Sequence, residues 1–249
     1  MRPTAMWVKI CGNTNLEDAA MAADFGADAV GFVFARSKRQ VTPAQVAAIT
    51  RHLPDRVERV GVFDSASPEE IAQAASVAGL TAVQLHGHLD EKLLEQLSRK
   101  LGGKMQLIQV LHWAVDEPVT RADASPSPSA AASKMRELER LAVLEPGRRV
   151  LIDSQAGAAR GGTGVAYDWS LARQVFRSAP DNLKLIAAGG LKPDNIAAAI
   201  AELAPWGVDV SSGVEASPGR KDPVLVRLFI ENAHGARTPD IKAPLPALR

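Results

Sequence analysis

The chain has 249 residues, 46% of them hydrophobic and 23% charged, with a formal net charge of +1. That is apolar matter for one large domain or two small ones, and so balanced a charge excludes a broad electrostatic footprint for nucleic acid or an anionic membrane. The one cysteine excludes an internal disulfide and fits a reducing compartment. No apolar run reaches the roughly 18 residues of a membrane span, and Met1 to Met6 lacks the apolar core of a secretory signal, so a cytoplasmic protein is expected.

Short β-branched apolar runs recur at 7–11, 29–34, 59–63, 82–86, 105–111, 149–153, 184–188 and 207–211. Between them lie stretches with helical spacing, such as Leu16 to Phe25 and Glu69 to Val77. Continuous apolar strands alternating with helices predict a parallel sheet covered by helices. Helix starts are marked as well. Thr14-Asn15-Leu16-Glu17 and Ser67-Pro68-Glu69-Glu70 read as capping boxes, and Thr42-Pro43 and Asp222-Pro223 place an N-cap before a proline. Eight strand–helix units in about 230 residues predict an α/β protein, a single-domain (β/α)8 TIM barrel, here over 1–235. The structural rival is an open doubly wound sheet, which usually has fewer strands and often opens with a glycine-rich fingerprint. The first strand here leads instead into Cys11-Gly12-Asn13-Thr14. Two segments break the rhythm. The Pro/Ala/Ser-rich stretch near 113–133, with Pro126 and Pro128, reads as an inserted loop without fixed structure. A lid is its alternative role. Residues 236–249 read as a C-terminal tail.

In such a barrel the site lies where strands end and βα loops begin. Residues two apart on a strand share a face. Lys9 and Cys11 therefore point inward together, as do Gln84 with His86, Leu151 with Asp153, and Asp209 with Ser211. Polar side chains on an inner face are costly unless they pair or react, so the pattern marks a site. Cys11 beside Lys9 reads as a thiol whose pKa a neighbouring cation lowers, ready to take a proton from carbon. A small buried hydrophobe is the equal alternative. Asp153 reads as a proton donor, or else as an N-cap or a partner for Lys9 or Arg39. Ala188-Gly189-Gly190-Leu191 and Ser211-Ser212-Gly213-Val214-Glu215 follow the seventh and eighth strands, where a barrel often holds a phosphate on backbone N–H groups. Ordinary tight turns are the alternative. Gly161-Gly162-Thr163-Gly164 reads as a flexible loop near the site. His86 with His88 is a lone H-x-H and poor evidence for a metal; His88 reads as a solvated loop residue. Trp113 and Trp169 stay open between lid and core.

In order along 7–235, these segments resemble the phosphoribosylanthranilate isomerase family of tryptophan biosynthesis. Lys9-Ile10-Cys11-Gly12-Asn13-Thr14 resembles its opening motif, and Gly31-Phe32-Val33-Phe34 with Ser37-Lys38-Arg39-Gln40-Val41 its second-strand segment. Arg59 to Phe63, Val83 to Gly87, Leu151 to Ser154, Gly161 to Gly164, Ala188 to Leu191 and Asp209 to Glu215 continue the match. The resemblance implies a (β/α)8 barrel and an Amadori rearrangement of N-(5'-phosphoribosyl)anthranilate. It implies Asp153 as general acid on the ribose ring oxygen and Cys11 as general base at C2. Arg39 would face the anthranilate carboxylate. Gly189, Gly190, Ser212 and Gly213 would hold the phosphate, and Gln84, His86 and Asp209 would line the interior. No metal or organic cofactor is implied, and the partner is a small phosphorylated substrate. Nucleic acid and membrane are not expected as partners, and monomer and homodimer both stay open. Three departures stand out: Val165 where the family often has Lys, Gln40 where an aromatic is common, and a long insertion after strand five. The histidine-pathway isomerase on the same fold resembles the chain less, since it uses an aspartate where Cys11 stands and binds a phosphate at each end of its substrate. A non-catalytic phosphosugar-binding barrel would need the glycine loops but not the Cys11/Asp153 pair.

Overall fold

Eight parallel strands close on one another in sequence order in this computed structural model, which describes residues 6–87, 89–103, 105–112, 128–144, 147–153 and 169–237. The strands are β1 (Trp7–Ile10), β2 (Ala29–Val33), β3 (Glu58–Phe63), β4 (Ala82–Leu85), β5 (Gln106–His112), β6 (Arg149–Asp153), β7 (Lys184–Ala188) and β8 (Gly207–Val210). β8 pairs back onto β1, with Lys9 opposite Asp209. The helices are α1 (Leu16–Asp24), α2 (Pro43–Thr50), α3 (Pro68–Ala78), α4 (Glu91–Lys100), α5 (Pro128–Leu144), α6 (Trp169–Ser178), α7 (Ile196–Leu203) and α8 (Pro223–Gly235). Between β8 and α8 lie a 3-10 turn, Ser212–Val214, and an antiparallel pair, β9 (Glu215–Ser217) with β10 (Arg220–Lys221). No helix among the described residues is long and apolar enough to cross a membrane.

The caps explain where several helices begin. Ser67 and Thr42 each close a full capping box, with Glu70 and Gln45 reaching back to the cap N–H. Asp222 accepts from Val224 and Leu225 ahead of Pro223. The box expected at Thr14 shifts by one residue. Asn15 is the N-cap, accepting from the Asp18 N–H, while the Thr14 hydroxyl donates to the Gly219 carbonyl at 2.7 Å. A tertiary acceptor outcompeted the local one. The expected loop near 113–133 is also shorter than its composition implied, because α5 begins at Pro128. Proline supplies the fixed φ of a first helical residue and gives up an N–H that has no partner there. Residues 113–127 lie outside the described residues.

Strand alternation sorts the side chains into two cores. Outward residues such as Val8, Ile10, Val30 and Val208 pack under the helices, together with Phe32 and Phe229. Fully burying each such side chain contributes about 1.5–3 kcal/mol. Inward residues such as Trp7, Val60, Ile108, Leu151 and Ile186 fill the barrel. At the N-terminal mouth Trp7 stacks on Trp206, with ring centroids 5.3 Å apart. The Arg149 guanidinium lies 5.2 and 4.9 Å from those two rings and pairs with the Glu58 carboxylate. This plug closes one end of the barrel, so the inner face opens only at the C-terminal ends of the strands.

Candidate active site

Among the strands that stop one residue short of their apolar runs are β1 at Ile10, β4 at Leu85 and β8 at Val210. Cys11, His86 and Ser211 are therefore the first loop residues, still on the inward face. They open onto a cavity of about 410 Å³. Gln84, Asp153 and Asp209 reach it from the strands, and Arg39 from the loop after β2. Gly189 and Gly190 line it after β7, and Ser212 and Gly213 after β8. Every expected site residue thus borders one space. A depression of about 420 Å³ on the helix flank is lined by α4 residues with Leu144 and Arg148. It holds no strand-end side chain and is not the site.

The cavity floor is a polar cluster built on Lys9. Its ammonium is fully buried, donates to Gln84 Oε1 at 2.7 Å and pairs with Asp209 Oδ1 at 3.0 Å. Burial alone would pull the Lys9 pKa down; Asp209 and Cys11 outweigh it, and the direction is up. Cys11 sits just above. Gly31 makes the space, since a Cβ there would lie 2.6 Å from the Cys11 sulfur. The thiol's pKa moves opposite to the expectation. Burial pushes it up, and Asp209 adds to that against the pull of Lys9 and Lys221. The reason is that Lys9 is not a bare cation. Its charge is largely matched by Asp209, so desolvation of the thiolate wins.

A second cluster sits beside Cys11. Lys221, on β10, has a buried side chain and donates to the carbonyls of Cys11 (2.5 Å) and Ser211 (3.1 Å) and to Glu215 (3.2 Å). Burial pulls its pKa down, with Glu215 opposing. Glu215 in turn holds Arg39 in a two-bond fork, at 2.7 and 2.6 Å. Burial would raise the Glu215 carboxyl, but the Arg39 hydrogen bonds and Lys221 carry it down. Arg39 spends two of its five N–H donors on Glu215 and keeps three for the cavity. Sequence reading did not single out Lys221. It follows a turn with no recognisable motif, and its nearest hint was the apolar run of α8 beginning two residues later.

The two glycine loops touch. A Cβ on Gly213 would fall 1.9 Å from the Leu191 carbonyl oxygen, so only glycine lets the loop after β8 pass the loop after β7. Gly189 and Gly190 adopt φ of 90° and 64°, turning the backbone into the cavity rim. On the other side, His112 ends β5 opposite Asp153 of β6. Its ring meets His86 edge to face at 4.6 Å. Sequence reading did not single out His112, which stands one residue before the insertion near 113–133. His88, Trp113, Val165 and Gly161 to Gly164 lie outside the described residues; Trp169 opens α6.

Known proteins resemble this chain in sequence and in fold. The family model for N-(5'-phosphoribosyl)anthranilate (PRA) isomerase matches residues 8–125 and 119–232. This chain belongs to that family. The N-(5'-phosphoribosyl)anthranilate isomerase of Pelobacter propionicus is 40% identical over 232 residues, 93% of this chain and 97% of that one. The Thermotoga maritima protein of the same name is 41% identical over 92% of this chain and 98% of its own. Among solved structures, the isomerase from Thermotoga maritima superposes with a TM-score of 0.75 at 36% identity, covering 92% of this chain and 99% of that one. A phosphoribosyl anthranilate isomerase in complex with reduced 1-(o-carboxyphenylamino)-1-deoxyribulose 5-phosphate superposes with a TM-score of 0.72 at 35% identity, covering 92% and 99%.

Proposed function

We propose that this phosphoribosylanthranilate isomerase family member converts N-(5'-phosphoribosyl)anthranilate to 1-(2-carboxyphenylamino)-1-deoxyribulose 5-phosphate by general acid–base catalysis. The observation that carries the reading is the opening of Cys11 and Asp153 onto one cavity whose rim holds both glycine loops and a guanidinium. The roles follow from the chemistry. Asp153 protonates the ribose ring oxygen as the ring opens to an iminium. The cation makes the C2 proton acidic, and Cys11 takes it, leaving an enolamine that becomes the ketone. Arg39, braced by Glu215, meets the anthranilate carboxylate, and a planar fork suits that group. Backbone N–H groups around Gly189, Gly190, Ser212 and Gly213 hold the phosphate. Gln84 and Asp209 hold Lys9 under the thiol, and His86 lines the wall toward Asp153.

Burial raises the pKa of the Cys11 thiol, and Lys9 and Lys221 oppose that by favouring the thiolate. The histidine-pathway reaction is disfavoured by the same residues, since a thiol stands at the base position.

The test is turnover of the purified protein with phosphoribosylanthranilate against the histidine-pathway substrate, read by loss of anthranilate-type fluorescence for the first. Asp153→Asn is expected to lower kcat by about 10²–10⁴. A variant that keeps near-normal turnover overturns the acid assignment.

A further inference from the structure

Proton transfer by Cys11 and Asp153 gives no chemical task to the two imidazoles beside Asp153. His86 follows β4, His112 ends β5 and Asp153 ends β6, on three neighbouring strands. One ligating atom from each lies within 4.8 Å of those of the other two. Tetrahedral zinc, with bonds of about 2.0–2.2 Å to nitrogen and oxygen, holds its ligand atoms roughly 3.3–3.6 Å apart, so side-chain rotations of about 1 Å complete the set. The H-x-H spacing of His86 and His88 was poor evidence for a metal. The second imidazole comes instead from the next strand.

The nitrogens are prepared for it. His112 Nε2 lies 2.7 Å from the His86 carbonyl oxygen. A carbonyl only accepts, so that nitrogen carries the hydrogen and Nδ1 is the ring nitrogen left to ligate. A metal-bound histidine makes the same outer hydrogen bond, which fixes its tautomer and raises its basicity. The neighbouring His86 ring is half-buried and faces the His112 ring edge at 4.6 Å. Its Nδ1 is buried with no hydrogen-bond partner among the described residues.

We propose that His86, His112 and Asp153 form an inhibitory site for a divalent transition cation of the zinc class. Two imidazoles and a carboxylate are the donors such ions prefer, whereas magnesium and calcium take oxygen ligands. The open cavity leaves the remaining coordination positions to water. Binding rests on the three side chains alone. Inhibition rests on the reading of Asp153 as the acid: a carboxylate bound to metal has no proton to give, and the ion sits where the substrate enters.

Calorimetric titration of the full-length protein with zinc chloride, alongside turnover with and without EDTA, tests both halves. One zinc per chain is expected, with turnover lost on binding, restored by EDTA and unaffected by magnesium. His112→Gln keeps an N–H for the His86 carbonyl but removes the lone-pair nitrogen. It is expected to weaken zinc binding by about tenfold or more and to shift inhibition in step. Cys11→Ala is expected to bind zinc normally. His86→Gln gives a second, independent loss of affinity, with thermal unfolding confirming the fold of each variant. No stoichiometric zinc uptake, or uptake that both histidine variants leave unchanged, overturns the site. Uptake abolished by Cys11→Ala but kept by the histidine variants would assign it to the thiol instead. Zinc bound through His112 with turnover intact overturns the inhibition and, with it, the acid role of Asp153.

Discussion

A single methyl group at Gly213 tests the phosphate site. The added Cβ would sit 1.9 Å from the Leu191 carbonyl oxygen, where ordinary contact begins at 3.4 Å, so the gap is short by roughly 1.5 Å. The carbonyl is backbone and the Cβ position is fixed by backbone, so no rotamer relieves the clash. The loops after β7 and β8 must separate, and they carry the four residues proposed to hold the phosphate. A misplacement of about 1 Å at a binding group costs about a hundredfold in rate through lost positioning. Gly213→Ala is therefore expected to lower kcat/KM for phosphoribosylanthranilate by at least about 10², mainly through KM, and to weaken inhibition by inorganic phosphate in parallel. Stability should fall by about 1–3 kcal/mol, the usual cost of overpacking, and leave the barrel folded at assay temperature. Steady-state fluorescence kinetics, phosphate inhibition and thermal unfolding on one preparation separate the effects. A folded variant with near-normal kcat/KM and phosphate inhibition would refute the placement of phosphate between these loops.

Lys221→Met keeps the buried stem but removes the donor to the Cys11 and Ser211 carbonyls and one of the two cations on Glu215. We expect a loss of about 2–5 kcal/mol together with a lower kcat in the folded fraction; a lower melting temperature with unchanged kcat would make Lys221 purely structural. At the far mouth, Arg149→Met should cost about 1–3 kcal/mol, discounted because Glu58 is partly exposed, and leave kcat unchanged, since the plug is remote from the cavity; urea unfolding and turnover check both. The pH profile follows from the raised Cys11 pKa. A folded value above the unfolded one means the folded state holds its proton more tightly, so the associated stability is present below the ordinary thiol range and lost as pH rises through the folded value. Alkylation by iodoacetamide, which needs the thiolate, should accelerate over the same window. A midpoint below the ordinary thiol value would show that Lys9, not burial, governs Cys11.

Strand order, barrel closure and the ring of inward residues were legible in the chain because they depend on local period. Apolar runs of five to seven residues alternate with helical stretches, and side chains two apart must share a face. The glycines after β7 and β8 were legible as residues, and the fold shows one reason for them: a Cβ at Gly213 would meet the Leu191 carbonyl where the two loops pass. Thr14 misled because its hydroxyl had a better acceptor in Gly219, 205 residues away. Lys221 went unnoticed because its partner, the Cys11 carbonyl, lies 210 residues earlier in the chain. His112 carried no signal until the barrel set it against His86 and Asp153. The sequence alone determined which residues stand at the mouth of the barrel. Only the tertiary structure decided what they do to one another, because the proton affinity of Cys11, the bracing of Arg39 and the grouping of two imidazoles with a carboxylate are sums over neighbours that the chain brings together from distant positions.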